Sequence, residues 1–408
     1  MRKHRDFSIK SLNLPTKRKQ LLTMKKYFKT DLSFYQLIIW AIALFMIACS
    51  PDHDDEQSGM PPIGEVTSPQ AEYGMAKIIL MHTPGKEVEG QRGLHKVFNH
   101  DEMKEEHRQY KNTLKQNGIT IYELTDVLQF APIDKLRSIA QEVSYQDISQ
   151  MNSSELVEHI ITTPPLKGIY FTRDQSISTP RGEVICKMTR SHRQPEPKII
   201  DLCYQVLGLN IAHRINGADA QMEGGDYLPF GTLSFIGEGQ RTNRTAILEL
   251  LEADAIGHDT VVVVKDARRN SVQMHLDTYF NIIDRNLVTL HEARINATED
   301  SPYYLAIDIY TRPHGERNYQ LTQTDISLVT FLQQKGITII PISDADENRY
   351  ASNYLCIGPR HIIAPDGQSD ELKQKFTQNH VTVEWVKLDE LTEGAGAAHC
   401  MTQVFCRQ

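Results

Sequence analysis

The sequence predicts an α/β fold that repeats a unit of one helix followed by one strand. Three observations support this prediction: amphipathic helical stretches, a glycine or asparagine where each stretch ends, and a short β-branched run directly afterwards. The pattern occurs five times, which indicates internal repetition of one supersecondary unit. A generic alternation of helices and strands is the alternative, because the spacing between the five units is irregular.

The first unit has a charged helix at 102–116, ends at Asn117-Gly118 and continues into a strand at 119–122. Glycine and asparagine suit this end because they adopt the left-handed backbone conformation that commonly follows a helix. Further strands are predicted at 77–82 and 282–290. The other four helix and strand pairs are 198–207 with 209–211, 245–253 with 261–264, 325–335 with 337–340, and 371–378 with 381–383.

Residues 133–161 show a helical spacing of apolar residues and no strand pattern. They predict two short helices. We therefore assign about residues 127–165 to a helical insertion within an α/β domain that spans residues 73–408.

Residues 1–48 have the pattern of a signal peptide. A basic flank precedes an apolar run from Leu37 to Ala48, which is short for a transmembrane helix. Met46-Ile47-Ala48-Cys49 resembles a bacterial lipobox, which implies that Cys49 is lipidated and becomes the first residue of the mature protein. The acidic run after Cys49 resembles the export signal of surface lipoproteins. An uncleaved membrane anchor is the alternative.

Residues 49–72 are rich in Asp, Pro, Gly and Ser, and this composition predicts a disordered tether. We expect an exported lipoprotein held to a membrane through Cys49, in the outer membrane or at the cell surface. The net charge of −8 gives no reason to expect nucleic acid as a partner. Five cysteines follow Cys49, so at least one thiol is free, and a Cys400–Cys406 disulfide is one open pairing.

The stretch from Gly394 to Thr402 combines small residues with one histidine and one cysteine. Cys400 is a candidate nucleophile, and the alternative is a mobile tail with a spare thiol. A catalytic cysteine needs a histidine and an acid close to it in space. His275 and Asp277 are two residues apart and would face the same side of a strand, so they form a candidate general base with its carboxylate.

Glu223 and Asp226 flank a Gly-Gly turn, where they could bind a metal, cap the turn or hold a cationic substrate. Asp174 stands at the end of a predicted strand. Together with Asp277, these carboxylates suit a guanidinium, which offers five donors in a planar fork. Carboxylates around Cys400 would raise the pKa of its thiol, so a cationic substrate or a protonated histidine is needed to form the thiolate.

These motifs resemble the arginine deiminase family of the guanidino-modifying (pentein) superfamily. The resemblance extends from about residue 75 to residue 404. It implies a five-bladed α/β propeller, in agreement with the five repeated units. The motifs are Met81-His82-Thr83-Pro84-Gly85, Glu105-Glu106-His107, Phe171-Thr172-Arg173-Asp174, Glu223-Gly224-Gly225-Asp226, Met274-His275-Leu276-Asp277, Asn353-Tyr354-Leu355 and His399-Cys400-Met401-Thr402.

The resemblance implies hydrolysis of the guanidinium group of L-arginine, a small-molecule substrate, to citrulline and ammonia, without a metal or an organic cofactor. Cys400 would attack the guanidinium carbon to form a covalent thiouronium, and His275 would act as general acid and base. Glu223 would orient His275 and contact the guanidinium. Asp174 and Asp277 would bind the guanidinium nitrogens.

Arg193 and Arg241 fall where the family binds the carboxylate of the amino acid. The chain departs from the family pattern at Gly168, which replaces an asparagine, and at Glu393 and Ala395, which replace arginines. Because these changes weaken the contacts to a free carboxylate, deimination of peptidyl arginine is an alternative function. Amidino transfer on the same fold is another alternative. A surface lipoprotein that binds arginine or cationic peptides without catalysis is a third.

Overall fold

The computed structural model describes residue 63 and residues 66–408. The predicted signal peptide, Cys49 and most of the predicted tether lie outside the described residues. Within the described part of the chain, no helix combines the length and the apolar character that a membrane span requires.

Most predicted helices and strands begin close to where the sequence patterns place them, but residues 282–290 belong to two antiparallel strands joined by a turn rather than to one strand. The helices of residues 66–408 are α1 (His100–Gln116), α2 (Leu124–Leu128), α3 (Ile133–Val143), α4 (Ser153–Thr162), α5 (Glu196–Leu207), α6 (Arg244–Glu252), α7 (Glu292–Ile295), α8 (Leu328–Gln334), α9 (Asp344–Glu347) and α10 (Asp370–Gln378). The strands are β1 (Ala76–Met81), β2 (Thr120–Glu123), β3 (Ser176–Thr179), β4 (Gly182–Ile185), β5 (Ile211–Arg214), β6 (Tyr227–Phe230), β7 (Leu233–Glu238), β8 (Thr260–Asp266), β9 (Phe280–Asp284), β10 (Leu287–His291), β11 (Leu305–Thr311), β12 (Gln320–Ser327), β13 (Thr338–Ile342), β14 (Leu355–Gly358), β15 (His361–Pro365), β16 (Thr382–Val386) and β17 (Gln403–Arg407).

The strands of the described residues form five sheets with one shared pattern. In each sheet a strand pairs antiparallel with one neighbour and parallel with another: β1 with β17 and β2, β4 with β3 and β5, β7 with β6 and β8, β10 with β9 and β13, and β15 with β14 and β16. The helices α1, α5, α6, α8 and α10 each precede the parallel partner in the chain. This confirms the five predicted helix and strand units in a mixed α/β fold.

The predicted helix ends have the expected left-handed backbone. Gly208 ends α5 with φ 71°, and Gly336 follows α8 with φ 69°. The fifth unit differs, because His380 rather than a glycine adopts the left-handed conformation after α10, with φ 56°. Glycine at the first two positions avoids the steric cost that a side chain meets in this region.

The helical insertion contains three helices within residues 124–162. The two helices predicted between 133 and 161 correspond to α3 and α4, and the short helix α2 precedes them. Asn152 and Glu155 begin α4 with reciprocal hydrogen bonds between side chain and backbone, which stabilise the exposed first turn.

The segment just before β1 packs against the domain. Ala71 bridges Phe230, the Glu72 amide donates to the carbonyl of Pro229, and the side chains of Ala71 and Glu72 are buried. The predicted boundary between tether and domain at residue 73 stays a prediction, but ordered contacts already include these two residues.

Candidate active site

Cys400 lies in the turn that leads into β17, and it is buried. Its Sγ atom lies 3.6 Å from Oδ2 of Asp277. The cysteines at 186, 203, 356, 400 and 406 are all free, so the Cys400–Cys406 pairing that the sequence left open does not form. The nucleophile predicted from the sequence is thus an unpaired thiol beside a predicted substrate ligand.

The small residues before Cys400 are required by close packing. A Cβ atom on Gly396 would lie 3.0 Å from Cβ of Cys400 and 2.8 Å from the ring of Phe171. A Cβ atom on Gly394 would lie 1.8 Å from the hydroxyl of Tyr170, a distance that no side chain tolerates. The glycines therefore let this segment fit between Cys400 and two aromatic rings.

Asn353 fixes the backbone around the nucleophile. Its Oδ1 accepts hydrogen bonds from the amides of Ala397 at 2.9 Å and Cys400 at 3.2 Å, and its Nδ2 donates to the carbonyl of Asp277 at 3.2 Å. One fully buried side chain thereby joins the nucleophile loop to the loop of Asp277. Sequence reasoning identified the Asn353 motif but assigned this residue no role.

His275 is held by Glu223 in one orientation. Its Nε2 atom lies 2.9 Å from Oε2 of Glu223, and both side chains are buried. Its other nitrogen, Nδ1, lies 3.8 Å from Oδ1 of Asp174 and remains available for a substrate. Glu223 is itself fixed, because Oε1 accepts from the amide of Thr189 at 3.1 Å. The structure thus places His275 and Glu223 in direct contact.

Two local predictions about this region were wrong. His275 has an extended backbone, but Leu276–Thr278 form a short 3-10 helix, so Asp277 does not lie on a strand. Asp174 lies in a turn before β3 rather than at the end of a strand. The alternation of side chains along a strand therefore does not explain how His275 and Asp277 come together.

The Gly-Gly turn explains their proximity instead. A Cβ atom on Gly225 would lie 2.8 Å from Nδ1 of His275 and 3.0 Å from Oδ1 of Asp277. A Cβ atom on Gly224 would lie 2.0 Å from the carbonyl oxygen of Arg173. Gly225 therefore lets the backbone of this turn pass close to His275 and Asp277, and Gly224 lets it pack against the segment that carries Asp174.

Asp174 and Asp277 each present one free carboxylate oxygen. Oδ1 of either residue is buried and has no hydrogen-bond partner among the described residues. Their Oδ2 atoms are occupied, because Arg193 Nη1 lies 2.8 Å from Asp174 and His399 Nδ1 lies 2.7 Å from Asp277. A buried carboxylate oxygen without a partner is costly, so these two atoms are suited to the N–H groups of a cationic ligand.

Arg193 and Arg241 turn toward the carboxylates. Arg193 pairs with Asp174 and with Glu196, whose Oε2 lies 2.7 Å from Nη2, and Arg241 Nη1 lies 3.3 Å from Oε1 of Glu223. Gly168 makes room for this conformation, since a Cβ atom there would lie 3.0 Å from Nε of Arg193. Both arginines thus reach the predicted site, but their charges are already paired.

A cavity of about 290 Å³ opens onto these groups. Asp174, His275 and Cys400 line this cavity, and Asp277 does not line it but contacts Sγ of Cys400. The remaining lining residues are Arg92, Gly93, Leu94, Phe98, Lys167, Gly168, Phe171, Arg190, His192, Arg193, Arg241, Met274, Glu393, Gly394 and Ala395. The structure therefore brings together every predicted site residue of the described chain.

The electrostatics of the site favour a protonated thiol and a protonated imidazole. Burial, with the negative charges of Asp277 and Asp174, raises the pKa of the Cys400 thiol. Burial opposes protonation of His275, but the carboxylates of Asp174 and Glu223 outweigh it and raise the pKa of the imidazole. In the same pair, burial is outweighed by the hydrogen bond from His275, which lowers the pKa of Glu223. The site thus holds an acid next to a dormant nucleophile.

A resident metal does not fit this donor set. Asp174, Glu223 and His275 offer ligand atoms within 4.8 Å of one another. However, Nε2 of His275 is hydrogen-bonded to Oε2 of Glu223, so these two side chains are paired with each other. Arg193 and Arg241 already neutralise the two carboxylates.

His399 and Glu72 also belong to the site, and sequence reasoning missed them. His399 bridges Oδ2 of Asp277 and Oε1 of Glu72, the latter at 3.1 Å. Glu72 also accepts from Arg407 at 2.6 Å. The position of His399 beside Cys400 was a signal for its role, but Glu72 carries none, since it lies 327 residues away along the chain.

A sequence model of the arginine deiminase family matches residues 135–407. An arginine deiminase of Halobacterium salinarum is 28% identical over 317 residues, which cover 58% of this chain and 64% of that protein. An arginine deiminase of Limosilactobacillus reuteri is 26% identical over 406 residues, which cover 83% of this chain and 97% of that protein.

The fold is also similar to that of solved structures. A mutant of DDAH from Pseudomonas aeruginosa, complexed with citrulline, has a TM-score of 0.53 and 19% identity, with 81% of this chain and 100% of that chain covered. This likeness shows that the chain has the mixed α/β pentein fold.

Proposed function

The chain belongs to the arginine deiminase family, and from this premise we propose that it hydrolyses the guanidinium group of L-arginine to citrulline and ammonia. One observation carries the proposal. The free oxygens of Asp174 and Asp277 lie beside an unpaired Cys400 and a His275 held by Glu223. This arrangement matches a planar cation whose carbon must be attacked and whose nitrogen must leave.

The two free carboxylate oxygens bind the guanidinium. Each accepts N–H groups of the substrate, so a cation replaces the missing partners of Asp174 and Asp277. Binding in this way places the guanidinium carbon next to Sγ of Cys400, which already contacts Asp277.

Substrate binding also activates the nucleophile. In the free enzyme the thiol donates to Oδ2 of Asp277, and the nearby negative charges oppose its ionisation. The bound guanidinium neutralises these charges, so the pKa of Cys400 falls. The thiol then releases its proton to solvent through the open cavity, because His275 is already protonated, and the thiolate forms beside its target. A dormant thiol without substrate is also protected from oxidation.

His275 transfers protons through Nδ1, because Glu223 occupies Nε2. The thiolate attacks the guanidinium carbon, and the imidazolium protonates the departing nitrogen, which leaves as ammonia. A covalent thiouronium on Cys400 results. The neutral imidazole then takes a proton from water as the water attacks, and the thiolate leaves as citrulline forms.

The activity is tested with protein that starts after Cys49. We expect citrulline and ammonia from free arginine, and no turnover by Cys400→Ala, while Cys203→Ala serves as a matched control because Cys203 is buried away from the cavity. If wild-type protein consumed arginine-containing peptides but not free arginine, the substrate assignment would be wrong. Binding of arginine without any turnover would support the non-catalytic alternative.

We also propose that the five sheets are the blades of a five-bladed α/β propeller. The support is the strand pattern that all five sheets of the described chain share. Each would contribute a loop to a common centre, which would explain why the site residues come from distant parts of the sequence. An experimental structure in which the five sheets do not surround one axis would contradict this proposal.

We further propose that residues 1–48 are a lipoprotein signal peptide and that lipidated Cys49 anchors the domain 73–408 to a membrane through a tether at 49–72. The support is the basic flank, the apolar run and the lipobox pattern at 46–49. Cys49→Ala should abolish both lipid labelling and recovery in the membrane fraction, whereas Ser50→Ala should retain both. Unchanged membrane recovery of Cys49→Ala would contradict the anchor.

A further inference from the structure

The outer part of the cavity carries uncompensated positive charge. Arg92, Lys167 and Arg190 line the cavity and are exposed, and we call these three residues the cationic rim. In the described part of the chain, no carboxylate forms an ion pair with any of them. Lys167 Nζ donates to the carbonyl of Arg92 at 2.9 Å, and Arg92 Nη2 donates to the carbonyl of His95 at 3.2 Å.

The family's carboxylate-binding positions do not supply a free cation here. Arg193 is bound to Asp174 and Glu196, and Arg241 is bound to Glu223. A cation that already has a partner gains less from a second anion. The free positive charges of this cavity therefore belong to the cationic rim rather than to Arg193 and Arg241.

His192 also lines the cavity, close to the positive charges of the rim. Burial and the charges of Arg193, Arg190, Lys167 and Arg241 lower the pKa of its imidazole. A site that disfavours an added proton favours an anion for the same electrostatic reason. The carboxylates of Asp174 and Asp277 thus lie at the buried end of the cavity and the exposed cations lie at its mouth, where the half-buried Glu393 contacts His95 rather than the cationic rim.

Resting on the proposed function, we infer that the cationic rim, with Arg190 as its main contact, binds the α-carboxylate of free arginine and selects the free amino acid. The guanidinium of arginine fits the buried carboxylates, and its carboxylate fits the rim. A peptidyl arginine or a decarboxylated guanidine offers the rim no anion. Arg190 is the main contact because its guanidinium makes no hydrogen bond within the described chain, and it can bind a carboxylate bidentately.

Glu393 is a positioning residue for this rim. Its carbonyl accepts from the amide of Leu94 at 2.7 Å, and its Oε2 accepts from the amide of His95 at 2.8 Å. These contacts hold the turn after Arg92 against the loop of Cys400. A glutamate at this position thus replaces a substrate contact with a contact that positions Arg92.

The test compares free arginine with agmatine, which is arginine without its carboxylate. We expect Arg190→Gln to lower kcat/KM for arginine by about tenfold to hundredfold, the range of one charge-assisted hydrogen bond, and to change agmatine turnover by less than about twofold. Arg190→Lys should retain part of the preference. Arg317→Gln is the matched control, since Arg317 is 85% exposed and does not line the cavity. The triple variant Arg92→Gln, Lys167→Gln, Arg190→Gln should turn over both substrates similarly.

Binding to Cys400→Ala separates this inference from the proposed function. Calorimetry should give tighter binding of arginine than of agmatine. In that background the Arg190→Gln substitution should reduce the difference, and the triple substitution should remove it. If wild-type protein turned over no guanidine but this binding preference held, the proposed function would fail and the rim would stand. If Arg190→Gln and the triple variant kept the wild-type preference for arginine, the rim would be refuted whatever the activity.

Discussion

Gly225→Ala tests whether the Gly-Gly turn sets the geometry of the site. The added Cβ atom would lie 2.8 Å from Nδ1 of His275 and 3.0 Å from Oδ1 of Asp277, whereas ordinary contacts begin at 3.4 Å. Nδ1 must therefore move by about 0.6 Å, or the turn must move by the same amount, and displacements on the order of 1 Å can cost about 100-fold in rate. His275 cannot move freely, because Glu223 holds its other nitrogen at 2.9 Å.

We expect Gly225→Ala to lower kcat for arginine by about 30- to 100-fold and the free energy of unfolding by about 1–3 kcal/mol through overpacking. Citrulline formation and thermal unfolding measure the two effects. Gly239→Ala is the control, because its nearest neighbour, Cβ of Asp266, would lie at an ordinary 3.7 Å. If both Gly225→Ala and Gly239→Ala kept the wild-type kcat, the close approach of the Gly-Gly turn would not be what positions the catalytic groups.

Three further predictions concern the groups around the nucleophile. Glu223→Gln removes a negative charge that raises the pKa of His275. Because activity needs the imidazolium and is lost as pH rises through its pKa, the alkaline limb of the kcat/KM profile should move to lower pH, and an unchanged limb would contradict the pairing. Asn353→Ala leaves the buried amides of Ala397 and Cys400 without an acceptor and the carbonyl of Asp277 without a donor, so we expect a loss of about 2–4 kcal/mol in unfolding free energy by chemical denaturation, together with lower kcat. Wild-type stability would show that water replaces the side chain. Alkylation of Cys400 should be slow near neutral pH in the free enzyme, because burial and two carboxylates raise the pKa of its thiol. A small guanidinium-like alkylating reagent should react faster than a neutral reagent of similar size, and equal rates would refute activation by the bound cation.

Much of the site was predictable because its chemistry lies in short motifs. Cys400, His275, Glu223, Asp174 and Asp277 were identified as one constellation, and the structure places them together. The reason is that each group requires a specific residue type, and the glycines beside them mark places where the backbone passes closely. Local conformation was less predictable, as the turn of Asp174 and the 3-10 helix of Asp277 show.

The roles of the arginines could not be read from the sequence. Arg193 can turn toward Asp174 because Gly168 leaves space for its side chain. This contact joins residues that are 25 positions apart in the chain. Glu393 similarly contacts a segment 298 residues away. Sequence position alone carries no information about such pairings, because they are decided by packing between distant loops.

By itself, the sequence determined the five helix and strand units and the residue types of the reaction. Hydrophobic spacing and helix-ending glycines are local properties, and a nucleophile, an acid and cation-binding carboxylates are recognisable wherever they occur. Only the tertiary structure decided which carboxylate oxygens are free, that Arg193 and Arg241 are already paired, and that Asn353, His399 and Glu72 support the site. These features depend on long-range burial, where each polar atom either finds a partner in the fold or is left for the substrate.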